Sequence, residues 1–346
     1  MRLPSLAIAL AAATAVTGSS PAVNLPALVD PLFAKAQGDT RAVLLIKDGQ
    51  VVAKRYAPGY GDRTRFVSWS MAKTVTAMLV GALVADGRLQ LDAPVPLAEW
   101  QGAGDPRAKV TLRDLLQMRS GLAHVEVGQP IENSDTNQAL FVSGPQAIAA
   151  YALRQPLRYP PGTKFEYSSL TTVILSELIT RTLTSSRDPR VRAQAYQRFA
   201  QERLFGPAGI TSAMLEFDGS GTQIGGSLIY MTLDDWGRFG QVLLTGRGAN
   251  GQPVLTSEWR AFLISPSPTN GGYGGQIWLN RPSGIKGEPL LFPGAPADAI
   301  AAQGHLAQHV VAVPSKGIVL VRLGNTPESD FRVTNEAIGK IIADVR

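Results

Sequence analysis

The sequence predicts a mixed α/β (α+β) fold: an antiparallel sheet drawn from both ends of the chain, flanked by helices, with a mostly helical region inserted. Three observations carry this expectation. β-like runs gather at 42–56 and again between 275 and 323. The stretch from about 96 to 214 is dominated by helical patterns. The turn Asp48-Gly49 and the turn Pro314-Ser315-Lys316-Gly317 each join two apolar runs, as hairpin connections do.

Taken in order, the chain opens with Met1-Arg2, an apolar alanine-rich run from Leu3 to about Val16, and the small-residue stretch Thr17–Ala22. This pattern predicts a secretory signal peptide over 1–22, followed by a protein exported to the periplasm or secreted. The run is too short for a comfortable membrane span, so no stable membrane insertion is expected once the signal is removed. Ala42–Ile46 and Val51–Tyr56 form the first hairpin, and Pro58-Gly59-Tyr60-Gly61 is a loop. From Phe66 to Val84, Met71, Val75, Met78, Leu79 and Leu83 recur at helical spacing, with Ser68 or Ser70 as the N-terminal cap and Asp86-Gly87 at the end. Leu89–Pro96 is a linker. Val110–Met118 is a helix that Thr111 can cap, 123–143 is a long loop, and Pro145–Leu153 is a short helix. Leu170–Leu183 is an apolar helix and Arg187–Leu204 a more polar one. Met231–Leu244 is amphipathic, capped by Thr232 and stopped near Gly246. Four strands follow, at Gly275–Leu279, Ala299–Gln303, His309–Val313 and Ile318–Leu323, and Val333–Val345 is the last helix. The expected organisation is an α/β sheet domain from 23–95 and 215–346 and a helical domain from 96–214.

Composition narrows the chemistry. The chain has 346 residues and no cysteine, which excludes disulfides, thiolate nucleophiles and cysteine metal sites. The formal charge is +6, and losing Arg2 with the leader leaves +5. The basic residues are scattered without interleaved aromatics, so nucleic acid is not an expected partner. There is no His-Glu-x-x-His and no phosphate-binding loop of the Walker type, and neither metal nor cofactor is expected. Gly246–Gly251 matches Gly-x-Gly-x-x-Gly but follows a helix rather than a strand, and reads as a connecting loop. The three histidines, His124, His305 and His309, accompany no Gly-x-Ser-x-Gly elbow, so nothing local supports a Ser-His-Asp triad.

What remains is Ser70 and Lys73. Three residues apart, they share a face of the first helical turn. Lys73 is the one charged residue between Arg65 and Asp86, and a lone lysine in so apolar a helix needs a partner or a task. A helix start favours negative charge on the serine oxygen, a lysine with a burial-lowered pKa can take the serine's proton, and the serine's own N–H can face a developing oxyanion. Tyr167, in Tyr-Ser-Ser after Pro160-Pro161-Gly162, is the candidate second proton carrier, with a phenol whose pKa a neighbouring ammonium would lower. The other reading of Tyr167 is a core tyrosine with a hydrogen-bonded hydroxyl.

Ser70-Met71-Ala72-Lys73, Tyr167-Ser168-Ser169 and a late glycine-containing strand together resemble the three motifs of the serine β-lactamase and penicillin-binding-protein superfamily. The similarity runs from about residue 40 to the C-terminus and is nearest the class C β-lactamase-related branch, with its family VIII esterases and 6-aminohexanoate-dimer hydrolases. Val110–Leu122, Pro161–Ser169 and Gly225-Gly226-Ser227 add to it. The resemblance implies a β-lactamase-like fold in which Ser70 is acylated and Lys73 and Tyr167 move the protons. It also implies an oxyanion hole made by the backbone N–H groups of Ser70 and His305. Ser169 stands where the family has asparagine. Ala302-Gln303-Gly304 stands where the lactamases have Lys-Thr-Gly, which removes the lysine that meets a substrate carboxylate. Ser169, Gly304, His305, Ser134 and Asp135 are the expected substrate contacts, with loop 123–143 and Trp278 shaping substrate choice.

The function so implied is hydrolysis of a small ester or amide through an acyl-enzyme on Ser70. A β-lactamase or D,D-peptidase, and a catalytically silent envelope binding protein of the same fold, are the other readings.

Overall fold

The computed structural model describes residues 25–142, 146–248 and 250–345. The expected signal peptide lies outside them, as does Pro145, the first residue of one expected helix. Among the described residues nine strands form two antiparallel sheets: β1 (Asp39–Lys47), β2 (Gln50–Tyr56), β3 (Arg65–Val67), β4 (Met214–Leu215), β5 (Ile229–Thr232), β6 (Trp278–Leu279), β7 (Ile300–Gly304), β8 (Gln308–Val313) and β9 (Ile318–Asn325). The large sheet runs β2-β1-β9-β8-β7-β6, so the first and last strands of the chain are neighbours inside it. The small sheet, β3-β5-β4, was not expected. β3 and β4, with three and two residues, are too short to show a period-2 pattern.

Local chemistry sets these elements. Asp48 and Gly49 both take positive φ (49° and 79°), the geometry of the hairpin turn that matches strand twist. Alternation along the strands then sorts side chains between two layers. Leu44, Ile46, Val310, Ala312, Val319 and Val321 face one buried cluster, shared with the helices Ala72–Ala85, Ser169–Leu183 and Leu233–Thr245. Val43, Leu45, Val311, Val313 and Leu320 face the other, against Ile338, Ile341 and Ile342 of the C-terminal helix Phe331–Asp344. The helices between 96 and 214 share the first cluster with the sheet.

Several expectations are corrected. Over Gly275–Leu279 only Trp278 and Leu279 are strand, because Gln276 adopts φ 62° and is a buried tie point. Its carbonyl accepts from Thr74 Oγ1, its Oε1 accepts from Thr172 Oγ1, and its Nε2 donates to the Leu115 and Leu116 carbonyls. Loop 123–143 contains helical turns at Ile131–Asn133, Asp135–Asn137 and Gln138–Val142. The helix Leu112–Leu116 is shorter than expected, but Thr111 caps it in a reciprocal capping box with Asp114. No helix among the described residues is long and apolar enough to cross a membrane.

Candidate active site

The site is built on the turn that follows β3. Neither Ser68 nor Ser70 caps the helix with its side chain; instead Trp69–Met71 is a tight 3-10 turn running into Ala72–Ala85. Ser68 is fully buried and ties this turn to β5. Its N–H donates to the Ile229 carbonyl at 2.7 Å, and its hydroxyl donates to the Ser227 carbonyl and accepts from the Ile229 N–H. Trp69 takes φ 44°, so the chain reverses sharply just before Ser70. Ser70 itself is half-buried.

Lys73 lies one turn on and is 1% exposed. Its ammonium has three protons, and the three acceptors are Ser70 Oγ (2.9 Å), Ser169 Oγ (2.8 Å) and the Gly226 carbonyl (2.8 Å). That carbonyl reaches the site because Gly226 is a glycine: a Cβ there would sit 2.6 Å from the Ser169 carbonyl. Burial disfavours the charged form and brings the lysine from 10.5 down to about 8, against the opposing pull of Glu126.

Tyr167 precedes Ser168, the N-cap of Ser169–Leu183, whose Oγ accepts from the Thr171 N–H. The Tyr167 phenol is hydrogen-bonded with Ser70, and Lys73 Nζ stands 4.8 Å from the centre of its ring. One expectation is corrected here. The phenol is not brought down by the ammonium; burial first, and then the charge of Glu126, push it well up, with the Ser70 hydrogen bond pulling the other way. Tyr167 therefore keeps its proton at neutral pH, while Lys73 is the group poised to give one up and take it back.

Glu126 is the residue that sequence reasoning missed. Its carboxylate accepts from the Ser169 N–H and the Ser169 hydroxyl, both at 2.6 Å, and from Thr136 Oγ1 at 2.7 Å. A chain of hydrogen bonds thus runs Ser70–Lys73–Ser169–Glu126. The two residues expected to touch substrate from the same loop are committed elsewhere. Ser134 is buried; its hydroxyl donates to the Glu126 carbonyl and accepts from the Asn137 N–H. Asp135 accepts from the Val125 N–H at 2.7 Å and the Tyr151 hydroxyl at 2.5 Å. Both brace the loop that carries Glu126.

On the other side, the end of β7 lies against the Ser70 turn. A Cβ on Gly304 would be 2.3 Å from the Ser68 carbonyl oxygen and 3.3 Å from Trp69 Cβ, so this approach requires glycine. His305, next along, is exposed, with its ring edge-on to Trp69 at 5.6 Å. Ala302 is buried in register with Val310. Gln308 Nε2 donates to the Val67 carbonyl at 2.9 Å, a second tie between this hairpin and the Ser70 segment. Trp278 is half-buried and packs on Tyr167 and Tyr273, at 5.6 and 4.9 Å between ring centres.

The histidines do not converge. His124 is buried behind Ser168, with Nδ1 toward the Ser168 hydroxyl and Nε2 on the Ala152 carbonyl. His309 is buried beside Phe292, in the cluster on the far side of the large sheet. Among the described residues no three histidine, aspartate or glutamate side chains gather as a metal site.

A serine hydroxyl held by a buried lysine and a phenol is equipped for acyl transfer. Comparison with known proteins agrees with this geometry. The chain is 22% identical to the 6-aminohexanoate-dimer hydrolase of Paenarthrobacter ureafaciens over 339 residues, 95% of this chain and 84% of that one. A Bacillus anthracis structure, assigned by name as a 6-aminohexanoate-dimer hydrolase, superposes with a TM-score of 0.71 at 22% identity, covering 92% of this chain and 80% of the other. A family VIII carboxylesterase superposes at 0.66 and 14% identity, covering 92% and 96%. At these identities the two structures speak for the fold alone. The family model for Beta-lactamase matches residues 25–343, and the chain belongs to that family.

Proposed function

We propose that this protein is a serine hydrolase that cleaves an ester or amide through an acyl-enzyme on Ser70. The observation that carries this reading is the buried Lys73 ammonium donating to Ser70 Oγ at 2.9 Å. In its neutral form Lys73 takes the hydroxyl proton as Ser70 Oγ bonds to the substrate carbonyl carbon. The N–H groups of Ser70 and His305 hold the carbonyl oxygen as it becomes negative. The Tyr167 phenol then protonates the departing alcohol or amine as its bond to carbon breaks, and recovers a proton from the Lys73 ammonium. Both groups end acylation as they began it. Water attacks the acyl-enzyme by the same exchange in reverse, releasing the acid and free Ser70.

Ser169, Gly304 and His305 border the place the substrate must occupy, with Trp278 as an aromatic wall. Ala302 offers no cation to a substrate carboxylate, and Lys73 is already fully engaged. The reading therefore favours neutral or cationic acyl groups over β-lactams and D-alanyl peptides. The relative named 6-aminohexanoate-dimer hydrolase supports hydrolysis as the activity. The leader-like pattern of residues 1–22 supports export to the periplasm or medium.

The test compares the wild type with Ser70→Ala on a short-chain p-nitrophenyl ester, and measures intact mass after exposure to a β-lactam. Ester turnover lost in the variant, with no stable β-lactam adduct, is the expected result. A β-lactam adduct on Ser70 would move the protein to the penicillin-binding side.

A further inference from the structure

We propose that Arg322 is a positioning residue for the oxyanion hole, acting from the face of the large sheet opposite Ser70. The inference rests on the hydrolase reading above. Arg322 is fully buried in β9, paired with His309 of β8 and Val43 of β1. The connection between β7 and β8, which carries His305, is an unusual one. Leu306 and Ala307 both take positive φ (64° and 57°), a conformation residues with a Cβ rarely adopt. Such a turn persists only where its surroundings hold it.

The Arg322 guanidinium is what holds it. Nη1 donates to the carbonyls of Leu306 (3.1 Å) and Ala307 (3.0 Å). The remaining N–H groups are anchored by parts of the fold outside the turn: Thr40 Oγ1 at 2.8 Å from Nη2 and 3.2 Å from Nε, the Gln37 carbonyl at 3.0 Å, and Thr326 Oγ1 at 2.6 Å. The Thr326 N–H adds a further bond to the Leu306 carbonyl at 3.1 Å. The planar fork of arginine spans these acceptors at once; a lysine ammonium cannot. With both carbonyls of the turn pinned from behind, and Gln308 tied to Val67 in front, the backbone that carries the His305 N–H is braced against the Ser70 segment. Preorganisation of this kind is what an oxyanion donor needs, because a donor free to turn away must be reordered in the transition state.

The experiment measures ester hydrolysis and inhibition by an aryl boronic acid, whose tetrahedral adduct on Ser70 places an oxygen in the oxyanion hole. Arg322→Lys and Arg322→Met should lower kcat by about 10- to 100-fold with KM changed less than about threefold. Boronate affinity should weaken by the same factor as kcat/KM. Thr326→Val and Thr40→Val remove one anchor each without removing the buried cation, and should give smaller losses of the same kind, about three- to tenfold. These two report if the Arg322 variants do not fold. Folded variants with wild-type kcat and boronate affinity would overturn the inference while leaving the hydrolase reading intact. A wild type that neither turns over esters nor binds the boronate would overturn both.

Discussion

Glu126 is linked to Lys73 by hydrogen bonds through Ser169, whose N–H and hydroxyl both bond to its carboxylate at 2.6 Å while the same hydroxyl accepts from Lys73. The pair sets two properties at once: the rotamer of Ser169, and the electrostatic field at Lys73. Burial lowers the lysine and the Glu126 charge raises it, and the balance leaves it near 8, where both protonation states are accessible at working pH.

The first prediction follows from that balance. If neutral Lys73 is the base, kcat/KM rises with pH through the lysine's titration. Glu126→Gln removes the opposing charge, so the acid limb should move to lower pH, by about half a unit to one unit. Rates above the limb should fall about tenfold, as Ser169 loses its fixed partner. Glu126→Asp should restore the limb toward its original position. A pH–rate profile measured for the three proteins checks this; an unmoved limb in Glu126→Gln would sink it.

Burying Lys73 also has a stability signature. Its folded pKa, about 8, lies below the ordinary 10.5, so between those values the unfolded chain holds a proton that the folded chain has released. Raising the pH across that window therefore favours the folded state, by up to about 1.4 kcal/mol per pH unit. Lys73→Met removes the titration. The stability of Lys73→Met relative to wild type should thus be greatest near pH 7, and should shrink by about 3 kcal/mol as the pH rises to 10.5. Urea melts of both proteins across that range measure it.

His309 gives the acid counterpart. Burial, and then the neighbouring Arg322 charge, bring its pKa from 6.5 down to about 3. The unfolded chain takes up a proton below 6.5 that the folded chain refuses, so stability is lost as pH falls from 6.5 toward 3. His309→Leu should flatten this part of the pH–stability curve, by about 1.4 kcal/mol for each pH unit below 6. Equal slopes in the two proteins would contradict the assignment.

Gly304→Ala tests the closeness of β7 to the nucleophile. The added methyl would lie 2.3 Å from the Ser68 carbonyl oxygen, which the backbone cannot yield without moving the Ser70 turn or the strand end. A loss of about 1–3 kcal/mol in stability, and of about 100-fold or more in kcat, is expected from denaturant melts and steady-state kinetics. Unchanged kinetics would mean that β7 does not border the site.

The contact of Ser70 with Lys73 was legible in the sequence because it depends on a local feature, a three-residue spacing in a helical turn, and Tyr167 stood out as a phenol beside a helix start. The Asp48-Gly49 turn and the terminal position of the strands were legible for the same reason. Glu126 was not, since it lies in a loop without periodicity and meets Ser169, 43 residues away, only in the folded chain. In the same loop Ser134 and Asp135 look available in sequence, while in the fold their oxygens accept from backbone N–H groups and Tyr151. Serine favours the cap role, which makes Ser68 or Ser70 a cap candidate in sequence; in the fold a buried bond from the Ile229 N–H takes the Ser68 oxygen instead. The direction of the Tyr167 shift depended on burial, which no residue near it in sequence discloses.

The most direct test of the central claim is to quench the wild-type protein in acid during the first turnovers of a p-nitrophenyl ester and weigh it intact. A mass increase equal to one acyl group is expected, located on the peptide containing Ser70 and absent from Ser70→Ala. Ester turnover at the same rate in Ser70→Ala, or an acyl group on any other residue, would contradict it.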